Sequence, residues 1–222
     1  MPANIETEIS AATELILEVG RWLHARNLAA AGDGNISVRL SDGRILITPS
    51  GLNKARLRHG DIALLSADGR TVRGHPSSER GLHLVVYRHC HEARAVVHAH
   101  PPTAIAWTIA HPGATELPSR AMPEVILSAG AIPVVPYARP GSDALGDLVS
   151  EHLPHRRLIA LARHGAVSWG ETVAEAYDAM ERLEHVAMIL KAAVDFGGIT
   201  ELPDDEVEAL EQMRSRLGQR IL

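Results

Sequence analysis

Two long segments of the chain carry apolar side chains at helical spacing. From Ile5 to Leu28, in "IETEISAATELILEVGRWLHARNL", apolar residues recur every three or four positions, which predicts an opening helix. The same spacing begins after Thr172 and continues to Val194. Thr172 and Glu175 have the spacing of a capping box at the start of this second helix, and Gly197-Gly198 is typical of a helix end.

Shorter segments either alternate between apolar and polar side chains or are apolar throughout, as strands are. Residues 35–51, "NISVRLSDGRILITPSG", contain two alternating runs joined at Asp42-Gly43, which predicts a hairpin. A second Asp-Gly pair, Asp68-Gly69, predicts another tight turn. Apolar runs at Ala95–His100 and around Leu158–Leu161 predict buried strands.

Helical and strand patterns are mixed along the whole chain. Ser78–Cys90, "SERGLHLVVYRHC", predicts a further helix, and a polar segment from about Asp204 predicts a last one. Because hairpins are mixed with long helices, the predicted fold class is α/β, a layered domain with a largely antiparallel or mixed sheet. The chain has no repeat, low-complexity tract or linker, so residues 1–222 are expected to form a single domain.

The composition excludes several classes of partner. The formal net charge is −5 and basic residues form no stripe, which argues against nucleic acid and anionic membranes as partners. No apolar run approaches the roughly 20 residues of a membrane span. The first residues lack the order of a signal peptide, so a cytoplasmic location is expected. Cys90 is the single cysteine, which excludes a disulfide framework and a cysteine metal cage.

Two histidines end the apolar run in "ARAVVHAHPP". Successive strand side chains point to opposite faces, so His98 and His100 project together while Ala99 faces the core. Two neutral imidazoles side by side can bind a divalent ion about 2 Å from each nitrogen. From spacing alone, a pair of histidines satisfied by hydrogen bonds at the edge of the core is an equal alternative.

Two more residues are candidates to complete a metal site. His164, in "LARHGAVSWG", ends another apolar run, and Gly165 after it permits a sharp turn that exposes the imidazole. Glu79, in "HPSSERG", lies just inside a predicted helix start. Taken singly, His164 is better explained as a turn histidine, and Glu79 as a charge that suits the helix dipole. His83, one turn after Glu79, is interpreted as a helix-surface histidine. The others are interpreted as surface or structural: His24, His59, His75, His89, His91, His111, His152, His155 and His185.

Three short segments, "GDGNIS", "TPSG" and "PSSE", have the small polar residues that wrap a phosphate. Free backbone N–H groups and the helix dipole attract anions at a helix start such as the third one. Each segment is a weak signal alone, because the same residues build ordinary turns. The segments contain no Lys or Arg, so binding would depend on hydroxyls and backbone amides. In order, they contribute Gly32, Gly34, Asn35, Ser50, Gly51, Ser77 and Ser78.

Taken in order, "GDGNISVR", "ITPSG", "PSSE", "VVHAHPP" and "RHGAV" resemble the class II aldolase/adducin family, and most closely its L-fuculose-1-phosphate aldolase branch. The resemblance covers roughly residues 9–198. It implies an α/β/α sandwich around a mainly antiparallel sheet. It also implies a homotetramer with active sites between subunits and a small sugar phosphate as substrate.

The resemblance assigns roles to the candidate residues. It implies that His98, His100 and His164 hold zinc, with manganese and cobalt as alternatives. It implies that Glu79 is the catalytic base and lies near the metal when no substrate is bound. The implied reaction is reversible cleavage of a ketose 1-phosphate to dihydroxyacetone phosphate and an aldehyde, through a metal-stabilised enediolate. The implied phosphate contacts are Asn35, Ser50, Gly51, Ser77 and Ser78.

One part of the family pattern is missing. Fuculose-phosphate aldolases place a tyrosine near the aldehyde, whereas the corresponding stretch here, "RAMPEVILSAG", has none and offers only Glu124. Decarboxylation, dehydration or epimerisation of a sugar phosphate on the same metal site therefore stays open as an alternative. A non-enzymatic adducin-like module is disfavoured, because all three histidines are present.

Overall fold

The computed structural model describes residues 5–218, and within them the strands form one eight-stranded sheet. The strands are β1 (Asn35–Arg39), β2 (Ile45–Ile47), β3 (Ala63–Leu65), β4 (Thr71–Arg73), β5 (Ala95–Ala99), β6 (Val134–Val135), β7 (Leu158–Leu161) and β8 (Gly165–Gly170). Their order across the sheet is β4-β3-β2-β1-β5-β8-β7-β6. Neighbouring strands pair antiparallel except β6 and β7, which are parallel.

Helices cover both faces of this sheet. They are α1 (Ile5–Ala25), α2 (Arg80–His89), α3 (Pro102–Ala110), α4 (Pro123–Ser128), α5 (Asp143–Ser150), α6 (Val173–Asp195) and α7 (Asp204–Leu217). One face packs against α1, α3, α4 and α6, and the other against α2 and α5. Helix α7 packs on α4 through a small separate cluster. None of the helices in residues 5–218 is long and apolar enough to cross a membrane.

Alternate strand residues enter different cores, which is what the period of two in a strand requires. In β2, Ile45 and Ile47 join the core with α2 and α5, whereas Leu46 joins the core with α1 and α6. In β5, Val96 and Val97 divide in the same way, so every residue of this central strand is buried. The fold is therefore the predicted mainly antiparallel α/β/α sandwich.

The strongest local patterns are confirmed. Arg39 pairs with Ile45 across the hairpin at Asp42-Gly43, and the Asp68-Gly69 turn joins β3 to β4. Both turn glycines have φ of +87°, a conformation that glycine adopts without strain. At the start of α6 the Thr172 hydroxyl accepts from the backbone N–H of Glu175 at 3.1 Å.

Two predicted helix boundaries and one predicted capping contact need correction. The opening helix ends at Ala25 rather than Leu28, because the chain reverses through Asn27, whose φ is +59°. Helix α2 begins at Arg80 rather than Ser78, which places Glu79 at the N-cap position and not inside the helix. The Glu175 carboxylate accepts from the N–H of Glu171 at 2.9 Å, so the reciprocal half of the capping box is shifted by one residue.

The two prolines after His100 begin a helix. Pro102 is the first residue of α3, where a missing N–H costs nothing because the first helical N–H groups have no intrahelical partner. The buried carboxylate of Glu184, from α6, accepts from the N–H groups of Thr103 at 3.0 Å and Ala104 at 3.2 Å. Glu184 therefore caps α3 and ties the segment after β5 to the longest helix.

Gly165 has a different role from the predicted one. The left-handed residue of the β7–β8 turn is Arg163, with φ of +62°, so Gly165 is not needed for the sharp turn. A Cβ atom at Gly165 would overlap the carbonyl oxygen of Ala99 and lie 2.9 Å from Cδ2 of His100. The glycine is required because two backbones approach closely beside the predicted metal ligands.

We expect Gly165→Ala to lower the free energy of unfolding by about 1–3 kcal/mol, the usual cost of overpacking a tight site. Gly81→Ala is the matched control, because Gly81 lies in α2 where an added Cβ atom would meet only open space. That variant should gain about 0.5–1 kcal/mol from the better helix propensity of alanine. Urea titration measures both, and equal stability of Gly165→Ala and the wild type would contradict the steric role.

Candidate active site

Four potential metal ligands meet where β1 begins and β5 ends. Glu79, His98, His100 and His164 each present one ligand-type atom, and these atoms all lie within 4.8 Å of one another. The three imidazole rings have pairwise centroid distances of 4.9–5.1 Å. The ligands come from four places in the fold: the N-terminus of α2, strand β5, the segment after it, and the β7–β8 turn.

His98 is fixed in the centre of the sheet. It lies in β5 between Asn35 of β1 and Val167 of β8, and it is fully buried. Its Nδ1 lies 2.8 Å from the carbonyl oxygen of Ala166. Since a carbonyl only accepts, Nδ1 carries a hydrogen, and Nε2 faces the cluster. The Nε2 atoms of His98 and His100 are 3.1 Å apart.

His100 follows the end of β5 and is held by backbone and side-chain contacts. Its backbone N–H donates to the carbonyl oxygen of Leu28 at 2.7 Å, and its Nδ1 lies 3.5 Å from Oδ2 of Asp33. Burial, together with the neighbouring His98 and His164, lowers the pKa of His100 to about 4. The ring is therefore neutral near pH 7, which is the form that binds a metal.

His164 is held by the turn between β7 and β8. Its backbone N–H donates to the carbonyl oxygen of Leu161 at 3.0 Å. The preceding residue, Arg163, donates its backbone N–H to the Thr108 hydroxyl of α3 at 2.9 Å. These bonds place Nε2 of His164 at 3.3 Å from Oε1 of Glu79.

The Glu79 carboxylate faces two histidines and one amide. Its Oε2 lies 3.3 Å from Nε2 of His98 and accepts from Nδ2 of Asn35 at 3.1 Å. Burial raises the pKa of Glu79, but contacts with His164 and His98 lower it more, so the pKa is well below its usual range. The carboxylate is therefore ionised. Buried Oε1 has no hydrogen-bond donor among residues 5–218.

The cluster has the chemistry of a divalent-metal site. Three imidazole nitrogens and a carboxylate are a ligand set typical of zinc and of neighbouring transition metals. A buried carboxylate oxygen without a hydrogen-bond donor among residues 5–218 is unfavourable in the protein alone, and beside it the Nε2 atoms of His98 and His100 face each other at 3.1 Å. A cation between these atoms would satisfy all of them, so the residues present fit such an ion.

The loops predicted to bind phosphate lie side by side. Pro49 and Pro76 form an isolated antiparallel bridge between the segment after β2 and the segment before α2. Next to this bridge, the N–H of Ser77 donates to the carbonyl oxygen of Thr48 at 3.1 Å. The Ser77 hydroxyl also accepts from the backbone N–H of Glu79 at 3.2 Å, which joins this loop pair to the start of α2.

A buried lysine joins the third predicted loop to the other two. A Cβ atom on Gly32 would lie 2.8 Å from the carbonyl oxygen of Gly51, so the two loops touch through their backbones. Nζ of Lys54 donates to the carbonyl oxygens of Gly32 at 2.8 Å and Leu52 at 2.7 Å. Burial lowers the pKa of Lys54 to about 8. The three segments themselves contain no Lys or Arg, and spacing along the sequence does not reveal a lysine folded under a loop.

The five predicted phosphate contacts differ in exposure. Asn35 and Ser77 are buried, at 2% and 4% relative exposure, and both already bond to Glu79. Ser50, Gly51 and Ser78 are exposed and open to a ligand. The predicted base and the predicted anion loops therefore belong to one connected group of residues.

His83 was interpreted wrongly as a surface residue. It is 1% exposed, its Nδ1 lies 2.7 Å from the Ser37 hydroxyl, and its Nε2 contacts Oδ1 of Asn35. Its spacing to Val86 and Tyr87 is i, i+3, i+4, and this was the signal for a buried helix face.

Glu124 is exposed in the first turn of α4 and is not one of the four clustered residues. The other histidines are exposed, apart from half-buried His152.

Known proteins share this fold and much of this sequence. Residues 14–190 match the family described as class II aldolase and adducin N-terminal domain. A 3-oxo-tetronate 4-phosphate decarboxylase from Haemophilus influenzae is 32% identical over 89% of this chain and 95% of its own. A 5-deoxy-D-ribulose 1-phosphate aldolase from Bacillus thuringiensis is 33% identical over 93% of this chain and 97% of its own. A solved L-fuculose 1-phosphate aldolase has a TM-score of 0.83 and 27% identity, and covers 93% of this chain and 97% of its own.

The fold and the ligand cluster define a metal-dependent enzyme of the α/β/α sandwich type. The chain belongs to the class II aldolase and adducin family, whose aldolases depend on a divalent metal. The predicted resemblance is confirmed, and the chain is an enzyme of the class II aldolase type. Relatives of nearly equal identity differ in the reaction for which they are named, so the family is established and the individual reaction is not.

We expect purified protein to hold about one equivalent of divalent metal per chain, as a three-histidine site does. His98→Ala should remove most of this metal, because it deletes the central ligand. His185→Ala, at an exposed position of α6, is the control and should keep the metal. Elemental analysis by plasma mass spectrometry measures both. Full metal content after all three ligand histidines are replaced by Ala would contradict the assignment.

Proposed function

We propose that this enzyme reversibly cleaves a ketose 1-phosphate to dihydroxyacetone phosphate and an aldehyde. The observation that carries the proposal is the position of Glu79. Its carboxylate faces His98 and His164, while its backbone is bonded to Ser77 of the anion loops. A base, a metal site and a phosphate pocket within one connected group are what removal of a proton beside a carbonyl requires.

In this proposal His98, His100 and His164 hold zinc, manganese or cobalt, with Glu79 as the fourth ligand before substrate binds. The bound cation supplies Lewis-acid charge that stabilises negative charge on the substrate oxygens. The histidines stay neutral, which leaves the charge of the cation undiminished. The Nδ1–H of His98, fixed by the carbonyl oxygen of Ala166, leaves Nε2 to the cation, and the low pKa of His100 favours its neutral ring.

Glu79 is the proposed base, and it has to change its surroundings to act. Its contacts with His98 and His164 hold its pKa well below the usual range of a carboxylate, which makes it a weak base. A substrate that enters between Glu79 and the histidines would remove those contacts. Burial then dominates and the pKa of Glu79 rises. The carboxylate can then take a proton from the hydroxymethyl carbon of dihydroxyacetone phosphate, the step that precedes addition to the aldehyde.

The phosphate of the substrate would bind where the three loops meet. Exposed Ser50 and Ser78 offer hydroxyls, and the N-terminus of α2 offers backbone N–H groups and a favourable dipole. Gly51 leaves its N–H accessible, and the charge of Lys54 lies beneath the loops. Asn35 and Ser77 complete the pocket and connect it to Glu79. We further propose a homotetramer with these sites between subunits.

A second candidate is decarboxylation of a sugar-acid phosphate. It is favoured by the relative from Haemophilus influenzae named for that reaction, and by the absence of the family tyrosine from residues 120–130. Both reactions need the same cation and phosphate pocket, and both leave negative charge beside a carbonyl. They differ in the bond that breaks and therefore in their products.

Product analysis tests the proposal. We expect incubation with a panel of ketose 1-phosphates to release dihydroxyacetone phosphate and an aldehyde, detected by coupled reduction and by mass spectrometry. Unphosphorylated ketoses should react at least about 100-fold more slowly, since a lost phosphate contact costs several hydrogen bonds to charge. Carbon dioxide from sugar-acid phosphates, with no cleavage of ketose phosphates, would instead establish the decarboxylase.

Glu79→Gln distinguishes the role of Glu79 as a base from its role as a metal ligand. The variant keeps the size of the side chain and should retain metal through the three histidines. It should lose about 100- to 10,000-fold in solvent deuterium exchange at the hydroxymethyl carbon of dihydroxyacetone phosphate, the usual contribution of a general base. The exchange is followed by proton NMR without an aldehyde. Near wild-type exchange by the metal-replete variant would assign the base to another residue.

A further inference from the structure

A buried chain of hydrogen bonds runs through the core to the Glu79 carboxylate. The Tyr87 hydroxyl lies 2.8 Å from the Ser37 hydroxyl, which lies 2.7 Å from Nδ1 of His83. His83 continues the chain through Nε2 to Oδ1 of Asn35. Asn35 then donates through Nδ2 to Oε2 of Glu79 at 3.1 Å. The four residues behind Glu79 are all at most 5% exposed, so water does not compete for these bonds.

The carboxylate at the end determines the direction of every bond. The amide of Asn35 donates its NH₂ to Oε2 of Glu79, which leaves its oxygen toward His83. That oxygen only accepts, so Nε2 of His83 must carry a hydrogen. Nδ1 of a neutral His83 then accepts from Ser37, and Ser37 accepts from Tyr87. The opposite tautomer would leave the amide oxygen of Asn35 facing the negative carboxylate.

The surroundings of His83 favour its neutral form. It is buried on the side of α2 that faces the sheet, where its ring contacts Ser37 and Asn35 of β1. Burial and the nearby His98 lower the pKa of His83 to about 3, although Glu79 acts in the opposite direction. A neutral ring has one donor and one acceptor. The donor serves the amide oxygen of Asn35, and the acceptor serves the hydroxyl of Ser37.

We propose that His83 is a positioning residue that sets the amide of Asn35 and, through it, the orientation of the Glu79 carboxylate. The hydrogen-bond partners of the His83 ring are Ser37 and Asn35, so it acts on Glu79 through Asn35. The term base for Glu79 rests on the proposed function, whereas the hydrogen-bond order does not. In this arrangement Oε2 is held by Asn35, so rotation of the carboxylate away from the histidines is restrained until substrate binds.

The tautomer of His83 tests the hydrogen-bond order without any assay of activity. Long-range nitrogen–proton NMR of the deuterated wild-type protein at pH 7 should give the pattern of a neutral ring protonated at Nε2. The signal is assigned by its loss in His83→Gln. A ring protonated at Nδ1, or at both nitrogens, would overturn the proposal. This result is independent of whether the protein cleaves or decarboxylates its substrate.

Two substitutions at His83 test the effect on Glu79. His83→Leu removes the donor to Asn35, and we expect kcat for deuterium exchange to fall about 10- to 100-fold with unchanged metal content, as for other supporting residues around a site. His83→Gln places an amide N–H near the position of Nε2 and should recover most of this loss. Equal impairment of both variants, or His83→Leu within about twofold of wild type, would overturn the positioning role.

Ser168→Ala is the control for a general loss of stability. The Ser168 hydroxyl is fully buried in β8 and bonds to the carbonyl oxygens of Val97 and Ala176, on the α6 side of the sheet and outside the Glu79 chain. It should lower the unfolding midpoint without changing exchange. If His83→Leu fails to fold, the tautomer and the exchange rate of His83→Gln still decide whether His83 positions Glu79. If wild-type protein exchanges no proton, the base role of Glu79 fails, and the tautomer of His83 in the wild-type protein alone decides the hydrogen-bond order.

Discussion

The site depends on the close approach of backbone segments at the end of the central strand β5. Gly165 lies against the carbonyl oxygen of Ala99, and a Cβ atom on Gly34 would lie 2.9 Å from the carbonyl oxygen of His98. These glycines let the β7–β8 turn and the loop before β1 reach the end of β5. Only then can His164 come from one side of His98, and Asn35 from the other. A side chain at either position would force the ligands apart.

The electrostatic state of the cluster follows from this packing. A carboxylate and three imidazoles are brought out of water with few protein donors, which is unfavourable unless a cation or bound ligand compensates. The protein lessens the cost by burying His100, which lowers its pKa and keeps that ring neutral. It orients His98 through the carbonyl oxygen of Ala166, and Glu79 through Asn35 and Ser77. Oε1 has no hydrogen-bond donor among residues 5–218, and together with the facing Nε2 atoms it forms the proposed place for a cation.

Much of this arrangement was predictable, because its signals are local in the sequence. The Asp-Gly turns, the capped helix α6 and the run ending in His98 and His100 each specify structure within a few residues. The short elements β4 and β6 and helices α4 and α5 were not predicted, since segments of two to eight residues carry too little periodicity. Contacts between residues that are distant in the sequence could not be predicted either. The pairing of Asn35 with His98 and the burial of His83 depend on strand order, which no single segment encodes.

The proposed site has one part that holds the metal and the base, and another that faces the second half of the substrate. Residues 5–218 supply these two parts to different degrees. The proposed metal ligands and base come from strand ends, a tight turn and a helix start, all fixed by backbone hydrogen bonds. The stretch that faces the second half of the substrate in related aldolases contributes half-buried Met122 and exposed Glu124 here, and no tyrosine. A fold that holds the charge-stabilising half rigidly and leaves the other half to variable side chains can change reaction without changing architecture. Relatives with 32% and 33% identity to this chain are named for different reactions.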